Sequence, residues 1–274
     1  MKSLTIAAAT AKEAIRQPSF LILLGVVVMW LIISVFVPYF TFGEDIKMYK
    51  DTGLTTISFV CLLLALLTSS STVADEIEGR TAITVLSKPI GRRSFIIGKF
   101  LGILGGALAL YVILGIGFSI GVTGKLAYDS VESGAGKLVG WPDALNQLRQ
   151  IAPGLALGFC EVMVLSAISL AISTRMPMLV NLVVCVSIFF LGHLAPVLVQ
   201  VTADSGVNEL VRFMANLFAW ILPSLEFFNA GPSIATGAVI PWMGYVLPAF
   251  GYCIMYTAAA LLAAFLLFED RDLA

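Results

Sequence analysis

Charged residues are scarce in this chain of 274 residues: Asp, Glu, Lys and Arg together make up only 12% of it. An ordinary soluble domain carries about 25% of such residues, so the deficit excludes a typical soluble fold. Hydrophobic residues make up 59%, which indicates a chain that lies mostly in a lipid bilayer. The formal net charge of -1 and the absence of a basic tract exclude nucleic acid as a partner.

Catalytic and metal-binding motifs are also missing. The chain has one histidine, no HExxH and no GxSxG, and its four cysteines lie in apolar runs without CxxC spacing. We therefore predict buried cysteines rather than disulfides or a zinc site. Residues 133–137, read SGAGK, fail as a phosphate-binding loop, because Val131 and Leu138 stand where that motif needs Gly and Ser or Thr. The chain is predicted not to be an enzyme and to hold no metal or cofactor of its own.

Long runs without charged residues locate the membrane spans, because a helix that crosses the hydrocarbon layer needs about 20 apolar residues. Six spans are predicted, at about 20–40, 53–74, 95–122, 151–173, 178–201 and 242–268. The predicted fold class is an all-α polytopic membrane protein, with residues 1–274 forming a single transmembrane domain.

One segment, 208–228, is ambiguous because Arg212, Pro223 and Glu226 interrupt its apolar pattern. Its longest charge-free stretch, 213–225, is short for a crossing. Spanning, re-entrant and interfacial placements all remain open, and an interfacial or re-entrant helix fits the pattern better than a spanning one.

The distribution of Lys and Arg predicts the orientation. If the N-terminus is cytoplasmic, ten of the 16 basic residues fall in inner segments. Both termini and the loop between the second and third spans are then cytoplasmic, in a multi-pass protein of the cell membrane. Residues 123–150 become an outer loop, which its Gly-, Ser- and Asp-rich composition predicts to be solvated.

The residues before the first span show an amphipathic pattern that Pro18 ends. One predicted helix face is apolar and carries Leu4, Ala8, Ala11 and Ile15. Lys12 and Arg16 share another face, which predicts an N-terminal elbow helix lying in the membrane interface with its basic side toward the head groups. The alternative is a frayed cytoplasmic tail.

The loop between the second and third spans has the most ordered chemistry in the chain. Residues 75–102 read DEIEGRTAITVLSKPIGRRSFIIGKFLG. Acidic residues come first, followed by Gly-basic-Thr and a short apolar segment that is predicted to be helical. A Ser-basic-Pro break, a pair of basic residues and the Gly-Lys that opens the next span follow. This order of residue classes resembles the cytoplasmic loop of the type-2 ABC exporter permeases. The final residues 268–273, FEDRDL, resemble the aromatic-x-x-Arg-Asp-Leu end of the same family.

The resemblance implies that the loop is a cytoplasmic coupling helix that docks on a separate ATPase. The residues implied in docking are Glu76, Glu78, Gly79, Arg80, Thr81, Ile83, Leu86, Lys88, Pro89, Arg92 and Arg93. Thr81 would cap the short helix, and Ile83 and Leu86 would enter a groove on the ATPase. The alternative is that the basic residues only set the topology and bind anionic lipid.

The resemblance also implies partners, an energy source and a function. An ABC-type ATPase subunit would bind ATP and Mg, and a second permease copy or a paralogue would complete a dimer surrounded by membrane lipid. Broken helices on the outer side would precede the last span. The implied function is the permease subunit of an ABC exporter. Alternatives are a non-transporting component that regulates a partner through ATP-driven motion, and a secondary transporter, for which no inverted repeat is evident.

Two ionisable residues lie deep within the predicted spans: Glu161 lies in the fourth and His193 in the fifth. Helical rise places them about 15 Å and about 12 Å from the outer ends of these spans, which predicts a hydrogen-bonded pair between adjacent helices. Intramembrane ionisable groups are candidates for function, so a transport role and a structural interhelix bond both remain open.

Small and polar residues predict how the spans pack. Gly98, Gly102 and Gly106 are spaced four apart, which lets another helix approach closely. Asn181 and Ser187 are predicted to form hydrogen bonds between helices.

Overall fold

The computed structural model describes residues 2–36, 45–78, 91–132, 140–202 and 208–269, which are mostly helical and include no strand. The helices are α1 (Lys2–Arg16), α2 (Pro18–Phe36), α3 (Asp45–Glu78), α4 (Arg92–Glu132), α5 (Trp141–Ser173), α6 (Met178–Thr202) and α7 (Glu209–Ile221). A 3-10 turn (Leu225–Phe228) and α8 (Gly231–Ala235) follow, and a π-helical turn (Trp242–Val246) runs directly into α9 (Leu247–Glu269).

Six helices within the described ranges are long and apolar enough to cross a membrane. They are α2, α3, α4, α5, α6 and the π-helical turn together with α9, so the prediction of an all-α protein with six spans is confirmed. The spans of α3 and α5 are the most buried and form the centre of the bundle, whereas α2, α6 and α9 expose most of their apolar surface.

The helices α3, α4 and α5 are longer than the predicted spans. They contain 34, 41 and 33 residues. At a rise of 1.5 Å per residue, α4 alone measures about 60 Å, twice the thickness of a hydrocarbon core of about 30 Å. All three overshoot at the same end of the bundle, because α3 begins at Asp45, α4 ends at Glu132 and α5 begins at Trp141. The prediction of a loop over 123–150 was therefore wrong for residues 123–132 and 141–150, which are helical.

Polar contacts between helices hold this three-helix extension, which comprises residues 45–52, 123–132 and 141–150. Lys125 at the end of α4 is buried, with its Nζ 3.2 Å from a carboxylate oxygen of Asp129 and 3.8 Å from one of Asp45 on α3. Lys50 Nζ on α3 donates to Gln150 Oε1 on α5 at 2.9 Å. A buried ammonium needs such partners, so the helices continue past the apolar runs wherever their polar residues can pair.

The helix α1 packs along the first turns of α4. Gly98, Gly102 and Gly106 of α4 face Ile6, Thr10 and Ala14 of α1, respectively. The contacts advance by four residues on both helices, so the helices run side by side in the same direction. A Cβ atom on Gly102 would meet the Thr10 side chain and the Ala7 carbonyl oxygen, which explains the glycine there. The close approach predicted from these glycines is confirmed, and α1 is the helix that makes it.

The face of α1 that packs on α4 is not the predicted apolar face. Thr10 and Ala14 are buried, whereas Leu4, Ala8 and Ile15 are exposed. The predicted N-terminal helix is therefore present and has a second, exposed apolar face. Its position in the lipid interface stays a prediction.

The segment 208–228 is a broken element. A bend of 56° separates Glu209–Ile221 from Leu225–Ala235. Pro223 lies in the break, where it cannot donate to a helical ladder. Tyrosines of the last span hold the break: Tyr252 Oη accepts from Ser224 N at 3.0 Å, and Tyr256 Oη donates to Ile221 O at 3.2 Å. The prediction of broken helices before the last span is confirmed.

Candidate functional site

The predicted docking segment lies between the end of α3 and the start of α4. Glu76 and Glu78 belong to the end of α3, and Arg92 and Arg93 open α4. Gly91 precedes them, and its carbonyl accepts a hydrogen bond from Phe95 N at 3.1 Å. Seven further docking residues lie outside the described ranges: Gly79, Arg80, Thr81, Ile83, Leu86, Lys88 and Pro89. Docking on an ATPase stays a prediction for the whole set.

Aromatic stacking joins the start of α4 to the end of the last span. The ring centroids of Phe95 and Phe268 are 5.8 Å apart, with 18° between the ring planes. Lys99, one turn further along α4, is buried and has its Nζ 5.8 Å from the Phe95 ring centroid. This distance is in the range of a cation–π contact, which helps a buried ammonium.

Two further hydrogen bonds join other helix ends at the same end of the bundle as the Phe95–Phe268 pair. Arg175, in the turn between α5 and α6, donates from Nε to Leu267 O of α9 at 2.8 Å. Gln17, between α1 and α2, donates from Nε2 to Ser71 Oγ of α3 at 3.5 Å. We call Gln17, Phe95, Arg175 and Phe268, with their partners, the base of the bundle. Its parts are those predicted to share the cytoplasmic side, and the side of the membrane that they face stays a prediction.

A buried network of hydrogen bonds joins the two central spans, α3 and α5, to the neighbouring span α6. Asn181 of α6 is fully buried, and its Nδ2 donates to Ser70 Oγ of α3 at 2.8 Å and to Ser169 Oγ of α5 at 3.0 Å. Cys185 Sγ donates to Asn181 Oδ1 at 3.3 Å. The interhelix role predicted for Asn181 is therefore confirmed. Ser187 instead lies on the exposed surface and donates to Val183 O of its own helix, so that prediction was wrong.

The structure brings Glu161 and His193 together. His193 Nε2 lies 3.4 Å from Glu161 Oε1, and the exposed fractions of the two side chains are 26% and 7%. His193 Nδ1 is 3.1 Å from Phe189 O, one turn back on the same helix. A carbonyl oxygen only accepts, so Nδ1 carries a proton in this contact and Nε2 is the nitrogen that faces the acid.

The contact between these two side chains is weak as a hydrogen bond. Oε1 of Glu161 is buried, and although Nε2 is within ion-pair range, this oxygen accepts no well-aligned hydrogen bond. A buried oxygen without such a bond is costly.

A cavity of about 230 Å³, which we call the Glu161 cavity, opens beside this pair. Its walls come from α3, α5, α6 and the broken segment, and they include Thr55, Ser58, Glu161, Phe189, His193 and Asn229. The cavity lies in the half of the bundle nearest the three-helix extension, because Thr55 follows the start of α3 by about three turns.

Two glycines of α5 line this cavity and let side chains of other elements pack closely against the helix. Gly154 and Gly158 lie seven and three residues before Glu161, so all three share one helix face. A Cβ atom on Gly158 would meet the hydroxyls of Ser58 and Tyr111, and one on Gly154 would meet side-chain atoms of Ile234. Sequence reasoning identified Glu161 and His193 but missed Ser58 and Asn229. The Gly-x-x-x-Gly-x-x-Glu spacing in α5 was the signal that could have indicated a close approach of other elements on the face that carries the acid.

Clusters of metal ligands are absent from the part of the chain that the structure describes: no three or more His, Cys, Asp or Glu side chains there could hold an ion together. The four cysteines are free and buried in the spans, as predicted.

The comparison with known families agrees with this architecture. The family model of the ABC-2 family transporter proteins matches residues 4–273, which is nearly the whole chain. The chain therefore belongs to the ABC-2 transporter family and is a multi-pass membrane protein of the permease type. No curated protein shows significant similarity to it.

Proposed function

We propose that this protein is the permease subunit of an ABC exporter, which moves substrate across the cell membrane with ATP hydrolysed by a separate nucleotide-binding subunit. The chain works with a second permease copy or a paralogue, and both of its termini are cytoplasmic. Membership of the ABC-2 family supports the pairing with an ATPase. The sequence supplies no nucleotide-binding motif that would make the chain its own source of energy.

The observation that carries the proposal is the packing at the base, directly beside the predicted docking segment 76–93. Phe95 lies three residues beyond the start of α4 and stacks on the end of the last span. A force applied to the docking segment would therefore act on α4 and α9 together rather than on one loose loop.

The length of α4 supports its role as a lever. It runs as one helix from Arg92 to Glu132, from the base to the three-helix extension. At its far end Lys125 lies within ion-pair distance of Asp45 of α3, so the second and third spans are linked at that end. Tilting α4 would shift the walls between α3 and α5, where the Glu161 cavity lies. Closure of two ATPase subunits on ATP would supply that tilt.

The direct test is co-expression of the tagged chain with an ABC ATPase encoded in the same genome. We expect the permease to retain the ATPase through purification, and we expect ATP hydrolysis only when both chains are present. An ATPase-site variant of the partner serves as the matched control, because it should still co-purify but not hydrolyse ATP. Specific ATP hydrolysis by the permease alone, or failure of every such ATPase to bind, would contradict the proposal.

Transport itself needs a second measurement. In proteoliposomes, accumulation of substrate on the side opposite ATP addition distinguishes an exporter from a membrane component that only regulates a partner. The regulatory alternative predicts ATP-dependent binding or release of a partner without flux.

A further inference from the structure

We propose that the Glu161 cavity binds a protonated organic amine, with the Glu161 carboxylate as counter-ion and with the amine in the place that His193 Nε2 occupies. This inference rests on the proposed function, since it assigns a cationic head group to the exported substrate. It depends on the geometry of a cavity within the bundle and not on the docking segment.

The chemistry of the cavity walls favours a cation. Glu161 is an acid buried between central helices, and its Oε1 accepts no well-aligned hydrogen bond. Asn229 brings a second acid close to the cavity, because its Nδ2 contacts the Glu226 carboxylate at 3.4 Å and 3.5 Å. No Lys or Arg is among the described residues that line the cavity. A ligand with N–H donors and a positive charge would satisfy the oxygen that the protein leaves under-bonded.

The imidazole of His193 is a partner that a ligand can replace. Its Nδ1 contacts the backbone of its own helix, and only Nε2 reaches the acid, at 3.4 Å. The imidazole is also the more exposed of the two groups, with 26% of its side chain accessible against 7% for Glu161. An ammonium group carries up to three N–H donors, so it can bind Glu161 and the nearby hydroxyls at once.

The remaining lining selects an organic amine over a metal ion. Among the described residues, Glu161 and His193 are the only ionisable ones that line the cavity, and no set of three metal ligands occurs. The other contacts on offer are the hydroxyls of Thr55 and Ser58 and the ring of Phe189. Hydroxyl oxygens accept from N–H groups, and aromatic faces attract ammonium ions. Pockets for drug-sized molecules measure about 300–1,000 Å³, so about 230 Å³ suits a head group or a small amine.

The test is direct binding to the purified permease in lipid nanodiscs, without any ATPase. Benzylamine, which is protonated at neutral pH, and benzyl alcohol, its neutral analogue of the same shape, are titrated calorimetrically. We expect benzylamine to bind the wild-type protein about tenfold more tightly or better, because only the amine forms a charge-assisted contact with Glu161. Equal binding of the two probes by the wild-type protein would overturn the proposal, whatever the variants do.

Two variants separate a binding site from a purely structural pair. Glu161→Gln keeps the side-chain shape and should abolish the preference for the amine. His193→Gln removes the competing imidazole and should keep the preference and tighten amine binding. A structural pair predicts that both variants behave alike, so loss of the preference in His193→Gln as well would also overturn the proposal. Neither result depends on the ATPase, so failure here leaves the exporter assignment standing, and failure of the ATPase to bind leaves this result standing.

Discussion

Phe95, in the first turn of α4, stacks on Phe268, in the last turn of α9, with the ring centroids 5.8 Å apart. Both rings are almost fully buried. The pair joins residues 173 positions apart in the sequence, at the point where the predicted docking segment enters the bundle. It connects the third span to the last one.

Removal of one of these rings should loosen the base. We expect Phe268→Ala to lower the thermal midpoint of the purified protein, because truncation of a buried Phe costs about 3–5 kcal/mol in well-packed cores. Phe250→Ala is the matched control, since Phe250 lies on the same helix but is 43% exposed. Thermal unfolding in detergent, followed by circular dichroism, measures both. Similar midpoints for the two variants would show that the stacking contributes little.

The contact between α1 and α4 makes a second prediction. Gly102→Ala should destabilise the protein by about 1–3 kcal/mol, because the new methyl group would overlap Thr10 and the Ala7 carbonyl oxygen of α1. Gly117→Ala is the control on the same helix, where a Cβ would meet nothing within 4 Å. Alanine favours helix by up to about 1 kcal/mol over glycine, so the control should be neutral or stabilised.

The comparison is made by thermal unfolding and by limited proteolysis of the N-terminal helix. Increased cleavage within residues 2–16 in Gly102→Ala alone would indicate that α1 has moved off α4. Equal stability of the two variants would mean that α1 is not held at this surface in the membrane.

The spans and the intramembrane pair could be predicted from the sequence because both follow from one-dimensional rules. Charge-free runs gave the six helices, since the bilayer excludes charge from any exposed position. Helical rise then placed Glu161 and His193 at similar depth, and the structure has them 3.4 Å apart. This result needed only the distance along each helix and the expectation that consecutive spans are neighbours.

The helix ends could not be predicted in the same way. The apolar run in the sequence ends at the edge of the hydrocarbon layer. The helix α4 nevertheless continues to Glu132, because Lys125 pairs with carboxylates on its own helix and on α3. These pairings depend on which helices are neighbours. The same limit applies to Gly98, Gly102 and Gly106 of α4. Their spacing indicates that another helix approaches closely, but it does not identify α1 as that helix. The cavity was missed because its walls come from four separate elements.

The orientation of the protein can be measured by cysteine labelling. A cysteine placed at Ser133 should react with an impermeant thiol reagent added outside the cell, and one placed at Ser87 should react only after the membrane is opened. The four native cysteines are buried in the spans and should not contribute to the signal. Equal external labelling at both positions would mean that the span count or the orientation is wrong.

The coupling role of the docking segment is tested by charge substitution. Ile83 and Leu86 lie three residues apart, so they share one face of the predicted short helix after Thr81. In the double variant Ile83→Asp with Leu86→Asp, two carboxylates would have to be desolvated on docking. The cost is several kcal/mol if they find no partner. A micromolar interface is worth about 8 kcal/mol, so this cost is enough to dissociate it.

The variant should therefore insert and fold normally but lose the ATPase in a pull-down and lose transport in cells. Its spans should be unaffected, because the substituted residues lie between the end of α3 and the start of α4. The control exchanges the same two side chains without charge, as Ile83→Leu with Leu86→Ile, and should keep both binding and transport. An unchanged thermal midpoint of the purified permease shows that the fold has survived. Retained binding and full transport in the doubly charged variant would mean that the segment only anchors the topology, and the lever mechanism proposed for α4 would then fail.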